Sequence, residues 1–198
     1  MKQVPAILSF ILLISGSATV QAAPAGDVEA GKKLAEQMCA ACHGPNKTLN
    51  NDTPILSGQT WRYLYLQMKD YKQGQRTNQY MNPLMKDMSK SDMYNLAAYY
   101  SEQEYKGENE KGDPALIDQG RKIADDALCT MCHLGGFKGQ NEVPRVAGQN
   151  YSYIIKQLMA FKNRERTNDA GTMTAYMSDV SKEQMEAVAS YVANLQLR

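Results

Sequence analysis

The sequence predicts an all-α protein in which one helical domain occurs twice. Apolar residues recur at three- and four-residue spacing in several segments, whereas no segment of useful length alternates between apolar and polar residues. The second half of the chain repeats the first, because Cys39, Cys42 and His43 recur as Cys129, Cys132 and His133. Further features recur in the same order, namely Pro54 as Pro144, Gln59 as Gln149, Arg76 as Arg166, Met81 as Met173 and Ser89 as Ser181.

The chain begins with the pattern of a secretory signal peptide. Lys2 precedes an apolar run from Ala6 to Ile14, and small residues follow up to Ala22. The run is shorter than the roughly 20 apolar residues that span a bilayer, so we expect cleavage after Ala22 rather than retention as an anchor. Residues 1–22 are therefore assigned to a cleaved signal peptide, and the mature chain is expected in an oxidising compartment.

The first helix of each copy is predicted from its N-cap. Asp27 and Asp113 are residues of the type that caps a helix, and Pro114 suits the first helical position. Each helix runs into a cysteine motif. Gly31 and Gly120 are expected to mark where this helix packs closely against the third helix of its copy.

The second and third helices follow from periodicity and from serine caps. The second is predicted to begin near Trp61 in the first copy and near Tyr151 in the second. The third follows Ser89 and Ser181, and Gln184 stands three residues after Ser181, as in a capping box.

The two copies are expected to form two domains joined by a linker. Residues 105–112 are polar and rich in charge, which is typical of a linker, so the domains are placed at 23–104 and 113–198. Lysine and arginine number 22 and aspartate and glutamate 21, a balance that gives no indication of a nucleic-acid partner.

Both halves contain Cys-x-x-Cys-His, the attachment sequence of c-type haem. At helical spacing the two thiols and the imidazole lie on one face, so the thiols can bond the porphyrin edge while the imidazole meets the iron. Two motifs predict two haem c groups, with His43 and His133 as iron ligands. The residues expected to form thioether bonds are Cys39, Cys42, Cys129 and Cys132.

Other uses of the cysteines fit less well. A structural zinc site needs four ligands, and each half offers only two cysteines and one histidine. A thioredoxin-like pair expects a βαβ setting, and disulfides do not require a histidine after each pair.

The sixth iron ligand is expected to be methionine, because both histidines of the chain are already used. Three methionine pairs recur in the repeat: Met81 with Met173, Met85 with Met177, and Met93 with Met185. The last pair falls inside the third helix, where a core role is expected. Met81 and Met173 are each predicted to lie in an irregular loop that can cross to the far haem face. This placement and the family resemblance given below together favour them over Met85 and Met177.

Two further repeated pairs leave alternatives open. Pro54 and Pro144 either present a carbonyl oxygen to the ligand imidazole or only shape the loop. Arg76 and Arg166 either pair with haem propionates or are plain surface arginines.

Over the whole mature chain the sequence resembles the cytochrome c4 family. The resemblance rests on both haem motifs, the Gly-Gln segments, the Arg-Thr-Asn loops before Met81 and Met173, and Leu96 to Tyr100. It implies two tandem class I cytochrome c domains, each wrapped around one haem with histidine and methionine ligands, in a periplasmic protein. It also implies electron transfer between a respiratory quinol-oxidising complex and a terminal oxidase or similar acceptor.

An electron carrier is therefore the leading hypothesis for function, with redox proteins as partners. A haem subunit of a dehydrogenase is the first alternative, and a dihaem redox enzyme is the second. The enzyme hypothesis is weaker because the chain has no spare histidine or cysteine for an open or unusual iron site. Peripheral association with a membrane stays open.

Overall fold

A computed structural model describes residues 26–105 and 107–196, so the predicted signal peptide lies outside the described residues. This part of the chain is helical, with two isolated β-bridges and no strand. No helix within it is long and apolar enough to cross a membrane. The helices are α1 (Val28–Leu34), α2 (Trp61–Gln73), α3 (Met81–Met85), α4 (Lys90–Glu102), α5 (Ile117–Asp126), α6 (Thr130–His133), α7 (Tyr151–Lys162), α8 (Thr172–Met177) and α9 (Lys182–Asn194).

The first and third predicted helices of each copy pack together, as α1 with α4 and α5 with α9. A Cβ atom at Gly31 would overlap the carbonyl oxygen of Asn95, and one at Gly120 would overlap that of Ala187. The prediction that these glycines mark the helix crossings is confirmed.

The predicted caps are also present. The side chain of Asp27 accepts a hydrogen bond from the Ala30 amide at 3.0 Å at the start of α1. Asp113 accepts one from the Ala115 amide at 2.8 Å and caps a short 3-10 helix, Pro114–Leu116, which leads directly into α5. Ser181 and Gln184 form the reciprocal capping box at the start of α9.

The expectation that Met81 and Met173 lie in irregular loops is wrong. Met81 is the first residue of α3, and Met173 lies within α8. The physical reason is local capping, because the Asn78 side chain accepts from the Met81 amide and the Asp169 side chain accepts from the Thr174 amide.

Each half has its own apolar core. The buried cluster of the first half is drawn from the segment directly after α1 and from α2, α3 and α4. That of the second half is drawn from α5, α7 and α9 with the loops around Phe137 and Ala147. The segment between the halves is held against the second one. Glu110 accepts hydrogen bonds from both the amide and the hydroxyl of Ser152, and Asn109 donates to the Ala193 carbonyl at 2.7 Å.

Candidate haem-binding sites

A backbone hydrogen bond within each cysteine motif forms one helical turn. The His43 amide donates to the Cys39 carbonyl at 2.8 Å, and the His133 amide donates to the Cys129 carbonyl at 3.0 Å. In the first half this turn follows a π-helical segment, Ala35–Cys39, that continues α1. In the second half it belongs to the separate helix α6. Both constructions bring two thiols and one imidazole to the same turn, as the spacing predicts.

None of the four cysteines forms a disulfide within the described chain. Burial raises the pKa of Cys39 to about 11 and also raises the pKa of Cys129. Within the described residues no three His, Cys, Asp or Glu side chains could together hold a metal ion. The two cysteines and the adjacent histidine on one turn of each half fit thioether attachment of a haem.

Both motif histidines are oriented by a proline carbonyl. His43 Nδ1 donates to the Pro54 carbonyl oxygen, and His133 Nδ1 donates to that of Pro144, each at 2.9 Å. A carbonyl can only accept, so the proton resides on Nδ1 and leaves the Nε2 lone pair free. Burial lowers the pKa of each imidazole, and the hydrogen bond to the proline carbonyl opposes this with a smaller effect. The lowered pKa favours the neutral imidazole. The carbonyl role considered for the prolines is confirmed, and the donor set fits a haem iron.

The methionine pairs differ in burial. Met85 is only 1% exposed in the first core, whereas Met81 is partly buried at the edge of that core. Met93 and Met185 are buried, as expected for core residues. Met173 is partly buried in α8.

Arg76 and Arg166 are not surface residues, and that alternative is wrong. They are 7% and 8% exposed and lie in one polar cluster between the halves. Arg76 donates to Gln67 of its own half and to Tyr153 and Gln157 of the other. Arg166 mirrors this pattern, donating to Gln157 of its own half and to Tyr63 and Gln67 of the first.

The two positively charged guanidinium groups are therefore buried together and donate to the same two glutamine side chains, Gln67 and Gln157. Burial alone would raise the pKa of the Tyr63 hydroxyl, but the guanidinium groups of Arg166 and Arg76 outweigh it and lower that pKa. The cluster also contains one carboxylate, since Asp70 accepts from Asn168. It ties the two halves together through hydrogen bonds rather than apolar contact.

A second set of bonds across the interface involves Gln59 and Gln149. Gln149 bonds both the amide and the carbonyl of Ile55, at 2.9 and 3.0 Å. Gln59 does the same to Arg145, at 2.7 and 2.9 Å. These contacts of Gln59 and Gln149 are not predicted from the sequence, although the Gly-Gln segment recurs in both halves.

Comparison with known proteins gives concordant results. The family model described as Cytochrome c matches residues 28–104 and again residues 117–196. Cytochrome c4 of Pseudomonas aeruginosa is 36% identical over 196 residues, which cover 93% of this chain and 96% of that protein. The chain belongs to the cytochrome c4 family.

Structural comparison agrees with this assignment. The crystal structure of reduced recombinant cytochrome c4 from Pseudomonas stutzeri matches with a TM-score of 0.78 at 34% identity, covering 87% of this chain and all of that one. The thiosulfate dehydrogenase electron acceptor of Thiomonas intermedia is 30% identical, covering 87% of this cytochrome and 84% of that protein.

The fold prediction is confirmed by these matches: the protein consists of two cytochrome c domains, mostly helical. It carries two haem c groups and is an electron carrier rather than an enzyme. Its partners are redox proteins.

Proposed function

We propose that this cytochrome works in the periplasm and carries electrons from a respiratory quinol-oxidising complex to a terminal oxidase or another periplasmic acceptor. The proposal includes export through a signal peptide at residues 1–22, followed by domains at 23–104 and 113–198. The haem thioethers are assigned to Cys39, Cys42, Cys129 and Cys132. The axial ligands are assigned to His43 with Met81 and to His133 with Met173.

The observation that carries the proposal is the exposure pattern of each motif. Cys42 and Cys132 are exposed, whereas His43 and His133 are partly buried. Cys42 and Cys132 would hold the haem through thioether bonds near the protein surface, and His43 and His133 would supply the iron ligand from a more buried position. Exposed apolar side chains lie at the same place, with Met38 40%, Leu128 54% and Met131 70% exposed. This arrangement suits brief contact with another redox protein. A haem c iron supplies the one-electron couple between the ferric and ferrous states.

The methionine assignment predicts a specific spectral loss. Replacing Met81 by alanine should remove about half of the weak red-edge absorption that marks methionine sulfur on ferric haem, and replacing Met173 should remove the other half. The expected cause is loss of one soft thioether ligand from one iron. The measurement is the visible spectrum of the oxidised protein, per haem bound.

Met85→Leu and Met177→Leu are the matched controls, because the same volume is kept and the sulfur is removed. Full red-edge absorption in Met81→Ala together with its loss in Met85→Leu would move the assignment to the other methionine pair.

The partner assignment is tested by rapid mixing. Oxidised cytochrome is mixed with a quinol-oxidising complex and quinol, and the reduced product is then mixed with terminal oxidase. We expect complete reduction of the cytochrome in the first step and complete reoxidation in the second. Both steps are monitored by the visible absorption of the haem.

A thiosulfate dehydrogenase is the second candidate donor, since this cytochrome also resembles a thiosulfate dehydrogenase electron acceptor. Fast reduction by that enzyme with thiosulfate, and none by the quinol complex, would overturn the respiratory assignment. Co-purification with a dehydrogenase would instead identify a bound haem subunit.

A further inference from the structure

The interface glutamines contact the same peptide groups that orient the histidines. The Pro54 carbonyl, which accepts from His43 Nδ1, and the Ile55 amide, which donates to Gln149 Oε1, belong to one peptide unit. A continuous chain of hydrogen bonds therefore runs from Gln149 of the second half, through this peptide, to the imidazole of the first.

The reverse chain has the same construction. Gln59 Oε1 accepts from the Arg145 amide at 2.7 Å, and the carbonyl of that same peptide, from Pro144, accepts from His133 Nδ1 at 2.9 Å. Each half thus supplies a glutamine to the peptide that holds the histidine of the other half.

The orientation of both glutamine amides is fixed by their partners. Each Nε2 donates to a backbone carbonyl, of Arg145 or of Ile55, while each Oε1 accepts from the amide of the same residue. The side chains of Gln59 and Gln149 are 5% and 4% exposed, so water competes little for these bonds. In such surroundings one hydrogen bond polarises the next and strengthens it by about 10–30%.

We propose that Gln149 and Gln59 are positioning residues that tune the reduction potential of the haem in the opposite half, each by polarising the peptide that holds its histidine. An amide N–H that donates to glutamine makes the carbonyl of its own peptide more negative. That carbonyl then binds the Nδ1 proton more strongly, which makes the imidazole a stronger electron donor toward the iron. A stronger donor stabilises ferric over ferrous haem, so each glutamine lowers the potential across the interface. The inference rests on the proposed function, in which His43 and His133 are iron ligands.

The test uses the full-length, haem-loaded protein with Gln149→Leu and Gln59→Leu. Haem methyl proton resonances, assigned to each half through contacts with aromatic side chains of that half, are followed through a redox titration. In Gln149→Leu we expect the ferrous-to-ferric ratio of the N-terminal haem to rise about two- to fivefold at fixed solution potential. This corresponds to about 20–40 mV at 59 mV per tenfold change. The C-terminal haem should move by less than half as much, and Gln59→Leu should give the mirror result.

Asn150→Ala is the matched control. Asn150 is 2% exposed and also bonds across the interface, to the Thr48 hydroxyl and the Thr53 carbonyl, but it does not bond the Pro54–Ile55 peptide. The Asn150→Ala substitution should therefore not change the reduction potential of one haem more than that of the other. If either glutamine variant shifted the reduction potentials of both haems equally, or if a folded variant shifted neither, the proposal would be overturned. A glutamine that only holds the halves together would not act selectively on the haem of the opposite half.

A second variant and a second measurement test the proposal even if the leucine variants do not fold. Gln149→Asn keeps the amide but shortens its reach, so the His43 Nδ1 proton of the ferrous protein should resonate upfield of its wild-type position while that of His133 stays in place. An unchanged His43 resonance would contradict the inference. Haem content and the red-edge spectrum of the wild-type protein are recorded in parallel. Fewer than two histidine-methionine haems there would refute the proposed function, whereas two such haems without the crossed shifts would refute only the tuning.

Discussion

Replacing both Cys129 and Cys132 by alanine is expected to yield an exported protein with one covalent haem instead of two. The thioether bonds of the second half have no other thiol to use, since the four cysteines are confined to the two motifs. The haem of the second half is then held only by coordination, from His133 and the proposed ligand Met173, and denaturation breaks these bonds. Mass spectrometry of the denatured protein should show the loss of one haem mass per chain, and the reciprocal variant without Cys39 and Cys42 should show the same loss.

Thr130→Ala and Met131→Ala are suitable controls because both residues lie between the same two cysteines. Each should retain both haems through denaturation. If the variant without Cys129 and Cys132 kept two covalent haems, the assignment of these cysteines would be wrong.

Replacing Gly31 by alanine is expected to lower the free energy of unfolding by about 2 kcal/mol. The new Cβ would overlap the Asn95 carbonyl oxygen, which belongs to the backbone of α4 and cannot rotate away. Overpacking of this kind typically costs about 1–3 kcal/mol and outweighs the gain of about 0.5–1 kcal/mol that alanine brings to a helix. Denaturant unfolding of the haem-loaded protein, followed by circular dichroism, measures the change.

Lys32→Ala provides the comparison, because Lys32 is the next residue in α1 and is exposed. Its effect should stay within about 0.5 kcal/mol. Gly120→Ala should repeat the Gly31 result in the second half, where the new atom meets the Ala187 carbonyl. A Gly31 variant as stable as wild type would mean that the α1–α4 crossing opens without cost.

The long helices were predictable because their signals are local. The N-cap residues Asp27 and Ser181 directly precede the helices that they cap. The spacing of the cysteines and histidine predicts that their side chains lie on one helical turn. The short helices α3 and α8 were missed because five or six residues are too few for an apolar period to appear. Their only sequence signals were the capping side chains of Asn78 and Asp169.

The interface could not be predicted from the sequence, because its residues meet only when the two halves dock. Arg76 and Arg166 were recognisable as a repeated pair, yet nothing local indicates that each would reach a tyrosine of the other half. Gln59 and Gln149 were likewise visible only as a repeated pair, while their partners lie far away in sequence. Repetition shows that a residue is shared by both halves but does not show what it contacts.

The separation of the two apolar cores has a thermodynamic consequence. Between the halves the named contacts are hydrogen bonds of arginine, glutamine and asparagine, whereas each apolar cluster stays within its own half. Heat capacity changes on unfolding come mainly from newly hydrated apolar surface, and hydrating polar surface acts in the opposite direction. Pulling the halves apart therefore adds little to the heat capacity of unfolding, and the curvature of stability with temperature is set by each half separately.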